Sequence, residues 1–509
     1  MRFEILDTTL RDGEQTSGVA FSAPEKLSIA RKLIEEVRVD RLEIASARVS
    51  SGEFDCVKKV CDWAMSSGHI DQIEVLGFND NGASIKWISE AGGKVMNLLT
   101  KGSKRHCENQ LKKTPEEHWA DIRNNVLMAK DAGLSINLYL EDWSNGMLQS
   151  PDYVFGMVDS LRDLIGKEIK RVLLPDTLGV LAPYQTKLLV KQMTERYPEI
   201  HFDFHAHNDY DLAVANVLAA AEGGCKGFHC TVNGLGERAG NASLSSVVAV
   251  LHDLMKAETN INEKSINNIS RMVESYSGIS CASNAPIVGE NVFTQTAGVH
   301  ADGDKKGNLY VNALLPERFG RSREYALGKM SGKANIEQNL ELLGIHLSED
   351  DMRKVTKRIN ELGDKKEIVT IDDLPYIISD TLHHDTPSDR VKLVSYLVST
   401  AYGLHPQAVV KLAIDGIEYE ESAIGDGQFD AFNRAVRHIF RNSLHRTFPW
   451  LVNYTVTIPP GGRTDALVQT AITWEHDGKV YRTRGLDADQ TEAAIKATIK
   501  MLNLLMGEN

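Results

Sequence analysis

Short apolar runs alternate with longer amphipathic stretches over the first half of the chain. The runs have the length and aliphatic content of strands, and eight can be drawn from hydrophobicity alone: Phe3–Leu6, Arg41–Ala45, Ile73–Leu76, Val95–Leu99, Ser135–Leu140, Arg171–Leu174, His201–Phe204 and Gly227–Val232. Helical periodicity separates them. Eight strand–helix repeats within about 255 residues predict a TIM (β/α)8 barrel. An open doubly wound sheet is the alternative, although it usually has fewer strands.

Two of the intervening helices carry clear end signals. The segment Ser22-Ala-Pro-Glu25 is a capping box with proline in the first turn, so we expect a helix to begin there. Its apolar stripe comprises Leu27, Ala30, Leu33, Ile34 and Val37. Residues Asp209–Gly223 are rich in alanine and stop at Gly223-Gly224, a signal for a helix C-cap.

Beyond the predicted barrel the pattern changes twice. Residues 258–390 have the pattern of helices with polar loops, and they include one long non-periodic stretch, Gln295–Tyr310. Long loops without their own periodicity tend to be functional or disordered. From residue 391 onward, alternating runs return. We therefore predict a barrel over residues 1–257, helical linker subdomains over 258–390 and an α+β domain over 391–509.

The last domain is predicted to consist of two similar halves, ββα followed by βββα. Asp415-Gly416 is a type I′ hairpin signal between two alternating runs, and Asp477-Gly478 is a second such signal. The predicted elements are strands Ala408–Ile414 and Ile417–Ser422, a helix from Asp430 to about Asn442, strands Val452–Ile458, Ala466–Trp474 and Lys479–Arg484, and a final helix over Asp489–Met506.

Composition excludes several classes of protein. The 509 residues include 57 basic and 70 acidic side chains, and a net charge of -13 argues against a nucleic-acid partner. No apolar stretch approaches the roughly 18 residues that span a bilayer, so we expect no membrane association. The chain starts directly in a strand without a signal-peptide layout, and its six cysteines include no C-x-x-C pair. These features are typical of a protein of the reducing cytoplasm.

Two motifs at predicted strand ends suggest a metal centre. Asp7-Thr-Thr-Leu-Arg-Asp-Gly-Glu-Gln15 follows the first strand, and His205-Ala-His-Asn-Asp209 ends the seventh. Side chains at i and i+2 of a strand share one face. Asp12, His205 and His207 therefore predict a catalytic divalent-metal site with open coordination positions. Mg²⁺ or Mn²⁺ suits such a site, and the imidazoles also allow Zn²⁺ or non-haem iron. The structural alternative is that Asp12 only forms a turn and that the two histidines are core residues.

Further polar residues follow strand ends or lie in the non-periodic stretch. The fork of Arg11 suits a carboxylate or a carbonyl oxygen that gains negative charge, and a salt bridge across the barrel mouth is its structural alternative. Glu141 ends the fifth strand, where its carboxylate could act as a general base or have a purely structural role. The glycine-rich loop Asn233–Asn241 follows the eighth strand and opens a helix whose N-terminus favours anions. His300, accompanied by Asp302 and Tyr310, is a candidate proton carrier or part of an ordinary polar loop.

On these two motifs, and on the loop Asn233–Asn241, the whole chain resembles the family of 2-isopropylmalate, homocitrate and citramalate synthases. These are metal-dependent TIM-barrel acyltransferases that convert the acyl group into alkyl on transfer. Within the family, the bacterial citramalate-forming members are the most similar. The stretches that carry this narrower resemblance are Val39–Val49, Leu98–Gly102, Tyr139–Gly146, His207–Leu212 and Phe293–Tyr310.

The resemblance implies a Claisen condensation of acetyl-CoA with a 2-oxo acid, followed by thioester hydrolysis. It implies Asn241 as a further metal ligand, and Arg11, Gln15 and Thr177 as substrate-binding residues. Glu141 and His300 are the candidates for the base that removes a proton from the methyl group of acetyl-CoA, and the sequence does not decide between them. The loop of His300 reaches the active site of a partner subunit in this family, so a homodimer is expected. The residues expected on the acetyl-CoA side are Asp302, Asn308, Leu309 and Tyr310.

The resemblance also bears on the choice of 2-oxo acid. Leu76, Leu99 and Tyr139 match the substrate pocket of the family, and such bulky apolar residues leave room for a methyl group, hence pyruvate and a citramalate product. The alternative is 2-oxoisovalerate, with 2-isopropylmalate as product, since one methylene discriminates by only about 1–3 kcal/mol. Two other functions are compatible with the fold: a lyase with the same barrel, and a non-catalytic amino-acid sensor.

The C-terminal domain resembles the regulatory domain of the family, which binds an amino acid and dimerises. A pathway to isoleucine implies isoleucine as the feedback inhibitor, with leucine as the alternative. Phe429 stands where we expect Tyr, and Ala488 where we expect Pro. The structural alternative is that the predicted effector residues are only core residues of a dimerising domain. The predicted residues are Phe429, Asp430, Leu451, Tyr454, Ile458, Val468 and Gln490.

Overall fold

The computed structural model of the chain describes residues 1–295, 303, 307, 309–328, 331–343, 345–364, 369, 371, 374–382, 390–457, 468–477 and 479–507. The described residues form two compact units. The first comprises Met1–Thr294 and the described residues of 309–324, and the second comprises the described residues of 295–307 and those from Tyr325 onward. No helix in the described part of the chain is both long and apolar enough to cross a membrane.

The first unit is a closed barrel of eight parallel strands that follow one another in chain order. The strands are β1 Glu4–Asp7, β2 Arg41–Ser46, β3 Ile73–Phe78, β4 Val95–Lys101, β5 Ser135–Glu141, β6 Ile169–Asp176, β7 Phe202–Ala206 and β8 Gly227–Cys230. Each end lies within two residues of the predicted one. Because β1 also pairs with β8, the sheet closes, which confirms the TIM barrel and excludes the open sheet.

The helices of the first unit surround the barrel. They span Ala23–Arg31, Ser51–Ser67, Ala83–Glu90, Lys104–His106, Pro115–Asp131, Trp143–Gln149, Pro151–Leu161, Pro183–Arg196, Ala213–Gly223, Leu244–Met255 and Ile266–Ser277. The predicted capping box at Ser22 is present. The predicted helix Asp209–Gly223 begins only at Ala213, because Asn208 Oδ1 accepts a hydrogen bond from the Ala213 amide (3.1 Å) and holds the preceding residues in a turn. It ends at Gly224 in the left-handed conformation, as predicted.

The two faces of the barrel sheet differ in chemistry. Alternate strand residues such as Ile5, Leu42 and Val75 join the helices in one continuous hydrophobic core. The intervening residues are buried but polar: Arg41, Glu43, Glu74, Asn97, Asn137, Asp203 and His229. TIM barrels usually fill their interior with branched aliphatic side chains. The interior of this barrel is therefore organised around ion pairs and hydrogen bonds.

The second unit contains a helical part and a sheet part. Helices Lys333–Leu342, Glu349–Asp364 and Leu374–Leu382 share a small core of their own. Two three-stranded antiparallel sheets follow, with strands Val391–Ser399, Gln407–Ile414 and Ile417–Ile424 in one, and Trp450–Thr457, Val468–His476 and Lys479–Asp487 in the other. Each sheet is followed by a helix, Gln428–His438 and Gln490–Gly507, and both helices contribute to one core.

The predicted ββα topology of the first half was wrong, because strand Val391–Ser399 precedes the two predicted strands. This strand was missed since it carries apolar side chains on both faces. Leu393 is partly buried, whereas Val394 and Leu397 are exposed, so the period-two alternation is blurred. The predicted hairpin at Asp415-Gly416 is present, with both residues at positive φ as a type I′ turn requires.

Candidate active site

The three predicted metal ligands meet at the carboxyl-terminal rim of the barrel. Asp12 lies in the turn after β1, where its amide donates to Thr8 O (2.8 Å). His205 lies in β7, and His207 follows the end of that strand and bridges to Asn241. All three side chains are buried, and their ligand atoms lie within 4.8 Å of one another. The strand geometry expected from the sequence therefore brings both imidazoles to the same point.

The chemistry of these residues fits a divalent cation. His205 Nε2 lies 3.3 Å from Asp12 Oδ2, close to the roughly 3 Å that separates adjacent ligands of an ion with bonds of about 2.1 Å. Within the described part of the chain, the buried atoms Asp12 Oδ1 and Asn241 Oδ1 have no hydrogen-bond partner, and neither has Nδ1 of His205 or His207. Unpartnered buried acceptors are costly, and a cation would satisfy them. Asn241 Nδ2 donates to Leu235 O (3.0 Å), which fixes the orientation of its amide.

The protonation states also suit a metal. Burial lowers the pKa of His205 well below its ordinary value and lowers that of His207 as well, so both rings stay neutral at neutral pH. Burial alone would raise the pKa of Asp12, but the nearby Arg11 and the two histidines outweigh it and hold this pKa at about 2. Neutral imidazoles and an ionised carboxylate are the forms that bind metal ions.

Arg11 is held in place by three acceptors. Its Nε lies 2.7 Å from Glu43 Oε2, its Nη1 lies 3.1 Å from Asp12 Oδ2, and its Nη2 donates to Tyr139 Oη (3.4 Å). Glu43 is fully buried and also accepts hydrogen bonds from Thr8 Oγ1 (2.7 Å) and Asn97 Nδ2 (2.8 Å). Arg11 thus forms salt bridges at the barrel mouth, which was the structural role considered for it from the sequence. The same contacts keep its guanidinium next to the metal ligand Asp12.

The predicted substrate-pocket residues also come together. Leu76, Leu99 and Tyr139 form a small hydrophobic cluster that is separate from the main core, and Leu173 completes it. Leu99, Tyr139 and Leu173 are direct neighbours across β4, β5 and β6. The apolar cluster lies beside Arg11 through the Tyr139 hydroxyl.

Glu141 and Thr177 lie at the ends of the adjacent strands β5 and β6, and Gln15 follows β1 on the same rim. Glu141 forms an ion pair with Lys101, its neighbour across β4 and β5. Thr177 Oγ1 accepts a hydrogen bond from the Asp142 amide (2.9 Å), and its carbonyl accepts one from Arg238 (2.9 Å). Gln15 is exposed in the helical turn Gly13–Gln15. Their predicted roles in binding and catalysis stay predictions.

The remaining predicted residues belong to later segments of the chain, and some of them lie outside the described residues. His300, Asp302, Asn308 and the predicted effector residue Ile458 lie outside the described residues. Leu309 and Tyr310 lie in an exposed turn. In the second unit, the rings of Phe429 and Tyr454 are 5.4 Å apart. Asp430 pairs with Arg434 (2.8 Å), whereas Leu451 and Val468 lie on strands and Gln490 begins the last helix.

Sequence reasoning missed a series of buried polar residues beneath the metal ligands. His229 on β8 has Nδ1 at 2.8 Å from Tyr139 Oη and Nε2 at 3.3 Å from Asp203 Oδ2. Asp203 in turn forms an ion pair with Arg41, which also lies 3.1 Å from Glu74 Oε1. These residues and Glu43 share one signal. Each is a polar residue at an inward position of an otherwise apolar strand, as in Arg41-x-Glu43 and Asp203-x-His205.

Comparison with known proteins covers almost the whole chain. The HMGL-like family matches residues 2–273, the Homocitrate synthase post-HMGL domain-like family matches 287–367, and the LeuA allosteric (dimerisation) domain matches 368–506. The chain is 33% identical over 508 residues to the (R)-citramalate synthase CimA of Methanocaldococcus jannaschii, covering 99% of this chain and 100% of that protein. It is 35% identical over 511 residues to a probable 2-isopropylmalate synthase of Methanopyrus kandleri, covering 99% and 98%.

A third relative, a putative (R)-citramalate synthase CimA of Archaeoglobus fulgidus, is 32% identical over 507 residues, covering 99% of this chain and all of the relative. These relatives are archaeal, so they do not support the narrower resemblance to bacterial citramalate-forming enzymes. The identities to both kinds of synthase are similar. Overall similarity therefore does not decide between the two substrates.

Proposed function

Because this chain belongs to the HMGL-like family, and to its branch of 2-isopropylmalate and (R)-citramalate synthases, we propose that it makes (R)-citramalate. It would condense acetyl-CoA with pyruvate and hydrolyse the thioester to release CoA. The observation that carries the choice of pyruvate is the apolar cluster of Leu76, Leu99, Tyr139 and Leu173 beside Arg11. Bulky side chains there leave room for a methyl group in preference to an isopropyl group.

Members of the HMGL-like family depend on a divalent metal. In this chain Asp12, His205 and His207, with Asn241, are the residues that would hold it. When bound, such an ion supplies Lewis-acid polarisation of the keto oxygen of the 2-oxo acid.

Two residues are suited to bind and orient the 2-oxo acid. Glu43 and Asp12 fix the guanidinium of Arg11, and its remaining N–H groups can donate to the keto oxygen as that oxygen gains negative charge. The oxygen of the Thr177 hydroxyl already accepts a hydrogen bond from Asp142. The hydroxyl hydrogen of Thr177 is therefore available to donate a hydrogen bond to the substrate carboxylate.

Carbon–carbon bond formation needs a base for the methyl group of acetyl-CoA. The base removes a methyl proton, and the resulting carbanion attacks C2 of the 2-oxo acid, whose keto oxygen becomes a hydroxyl group. We propose Glu141 and His300 for this proton transfer, with Lys101 fixing the orientation of the Glu141 carboxylate. Water then hydrolyses the thioester. Asp302, Asn308, Leu309 and Tyr310 are proposed for the acetyl-CoA side.

The second candidate is 2-isopropylmalate synthesis, which the 35% identical relative favours. The deciding measurement is CoA release by the full chain, supplied with Mg²⁺ or Mn²⁺ and acetyl-CoA, with either pyruvate or 2-oxoisovalerate. We expect kcat/KM to be at least about ten-fold higher for pyruvate, in line with pocket discrimination of 1–3 kcal/mol. A ten-fold preference for 2-oxoisovalerate would overturn the choice, and no CoA release from any 2-oxo acid would overturn the synthase assignment.

A pocket variant sharpens this test. Leu99→Ala should enlarge the apolar cluster and move the preference toward 2-oxoisovalerate by roughly ten-fold. Leu254→Ala is the matched control, because Leu254 is an exposed leucine on the helix Leu244–Met255. An unchanged preference in Leu99→Ala would show that this cluster does not contact the substrate side chain.

We propose that the second unit mediates homodimer formation and feedback inhibition by isoleucine, with leucine as the alternative effector. The LeuA allosteric (dimerisation) domain match and the proximity of Phe429 and Tyr454 support this proposal. The assay is inhibition of CoA release, together with the rise in melting temperature that a bound effector causes. Phe429→Ala should abolish both effects of isoleucine, whereas Phe155→Ala in the first unit should leave them intact. Inhibition by neither amino acid would contradict this role.

A further inference from the structure

Tyr139 is the upper end of a hydrogen-bonded series that runs into the barrel. Its Oη lies 2.8 Å from His229 Nδ1, and His229 Nε2 lies 3.3 Å from Asp203 Oδ2. All three side chains are almost completely buried. Asp203 lies two residues before His205 on β7, so the series passes directly beneath the candidate metal centre.

The ion pair between Asp203 and Arg41 at the lower end of the series orients the hydrogen bonds above it. Asp203 Oδ2 forms an ion pair with the guanidinium of Arg41, and Asp203 Oδ1 lies 3.1 Å from His201 Nε2. An ionised carboxylate only accepts hydrogen bonds. His229 therefore donates from Nε2 to Asp203. Because Arg11 Nη2 already donates to Tyr139 Oη, the hydrogen of that hydroxyl points at His229 Nδ1, which accepts it.

The acceptor at Nδ1 fixes the phenol. The Tyr139 hydroxyl donates its hydrogen to His229, so the lone pairs of its oxygen face Arg11 Nη2 at 3.4 Å. If the hydroxyl hydrogen turned toward Arg11, two donors would face each other and one of the three acceptors around Arg11 would be lost.

On the premise of the synthase function above, we propose that His229, anchored by Asp203, is a positioning residue for the reaction. It holds the Tyr139 hydroxyl hydrogen away from the 2-oxo acid and leaves the oxygen to orient Arg11. The ring of Tyr139 then offers the substrate an apolar wall without a competing donor. The ring of His229 packs against that of His205, with 5.6 Å between the ring centroids, and its hydrogen bond toward the substrate side goes to Tyr139. In this proposal it acts through Tyr139 and Arg11.

Two substitutions of His229 separate this role from simple packing. The amide of Asn can replace Nδ1 of histidine, whereas Gln places its amide nearer the position of Nε2. We expect His229→Gln to lower kcat roughly ten-fold with little change in KM for pyruvate, because Arg11 acts on charge that develops during the reaction. His229→Asn should retain activity within about three-fold. Equal losses in both variants would mean that His229 only fills space.

A double-mutant cycle tests whether His229 acts through the phenol. In the Tyr139→Phe background, His229→Gln should cause no further loss, because the hydroxyl group through which it acts is already absent. Additive losses would overturn the proposal. His252→Gln is the matched control, since His252 pairs with Glu263 and Thr259 away from the site. Its effect should add to that of Tyr139→Phe.

A spectroscopic measurement on the unaltered protein keeps the proposal testable if a variant fails to fold or if the synthase assay shows no activity. Nitrogen NMR of protein with labelled histidine reports which ring nitrogen carries the proton. We expect the spectrum of His229 to show a proton on Nε2 and none on Nδ1. The signals of His229 are identified by their absence in either His229 variant or by their shift in Tyr139→Phe. An Nδ1–H tautomer or a doubly protonated ring would overturn the proposal. The absence of CoA release with a neutral Nε2–H ring would instead count against the proposed function.

Discussion

The barrel and the second unit place their charged residues in opposite ways. Arg41, Glu43 and Asp203 are buried inside the barrel, while the apolar residues of the same strands face the helices. In the sheets of the second unit, apolar residues such as Val410 and Trp474 face the core. Among the described residues of that unit, the buried polar side chains are amides and hydroxyls, and none is charged.

This difference separates a unit that is arranged for chemistry from one that is arranged for packing. Removing charges from water is expensive, and a buried ion pair is seldom more stable than an apolar core of the same volume. In the barrel, buried polar residues are nevertheless connected by an ion pair and hydrogen bonds. The connection leads from Arg41 through Asp203 and His229 to Tyr139 and Arg11. Where no such series is needed, the second unit keeps its ion pairs, such as Arg390 with Asp415, at the surface.

The largest expected effect comes from the metal residues at the top of the barrel. His207→Ala should lower the rate of CoA release by at least about three orders of magnitude, because the keto oxygen would lose its polarisation. Metal content should fall in parallel, while the circular dichroism spectrum stays unchanged. Near-normal activity of this variant would show that the metal assignment is wrong.

A control on the second unit completes that test. His438→Ala replaces a histidine in the last turn of the helix Gln428–His438. It should leave the metal content and the rate of CoA release unchanged. If both variants lost activity equally, the contrast between the two units would not hold.

The next largest effect concerns stability. Arg41→Leu should lower the free energy of unfolding by about 3–5 kcal/mol, because Asp203 and Glu74 would stay buried without their partner. Arg390→Leu removes the cation of a partly exposed pair in the second unit and should cost less than about 1 kcal/mol. Urea unfolding of the full chain, monitored separately for each unit, provides the comparison. Similar costs for both variants would mean that the interior charges of the barrel are well solvated.

The two units also differed in how well the sequence predicted them. All eight barrel strands were predictable because each is a compact apolar run with helical periodicity on either side. Strand Val391–Ser399 was not, because its exposed apolar residues obscure the alternation. A strand that carries apolar residues on both faces gives no period-two signal on its own.

The candidate site was predictable only at the strand ends. Asp12, His205 and His207 stood out because their spacing places them on one face and at one rim. Glu43, Asp203 and His229 did not, because a single polar residue within an apolar run resembles an exposed position until the register is known. Aligning the strands by inward and outward positions would have revealed them, since the inward positions are polar in strand after strand.

A pH-dependent contribution to stability is expected from a carboxylate on the outside of the barrel. Burial alone would raise the pKa of Glu263, but His252 and Arg318 outweigh it and lower this pKa to about 2. The stabilisation is therefore complete above the ordinary value of 4.5 and is lost as the pH falls from there toward 2. Allowing for partial exposure to solvent, Glu263→Gln should cost about 1–2 kcal/mol at pH 7. Unfolding experiments should show this difference shrinking between pH 5 and pH 3, whereas Asp415→Asn should show a much weaker trend.

The smallest effect compares one glycine from each unit. Gly416 ends the hairpin turn of the second unit at φ +82°, and no atom lies within 4 Å of a Cβ added there. Gly416→Ala should therefore cost about 1 kcal/mol through backbone strain alone. Gly52 lies in the helix Ser51–Ser67 of the first unit, at ordinary helical φ and with only Ser50 Oγ near an added Cβ, so Gly52→Ala should stabilise by about 0.5–1 kcal/mol. Opposite shifts in the unfolding midpoints of the two units would confirm both conformations, and a neutral Gly416→Ala would contradict the type I′ turn.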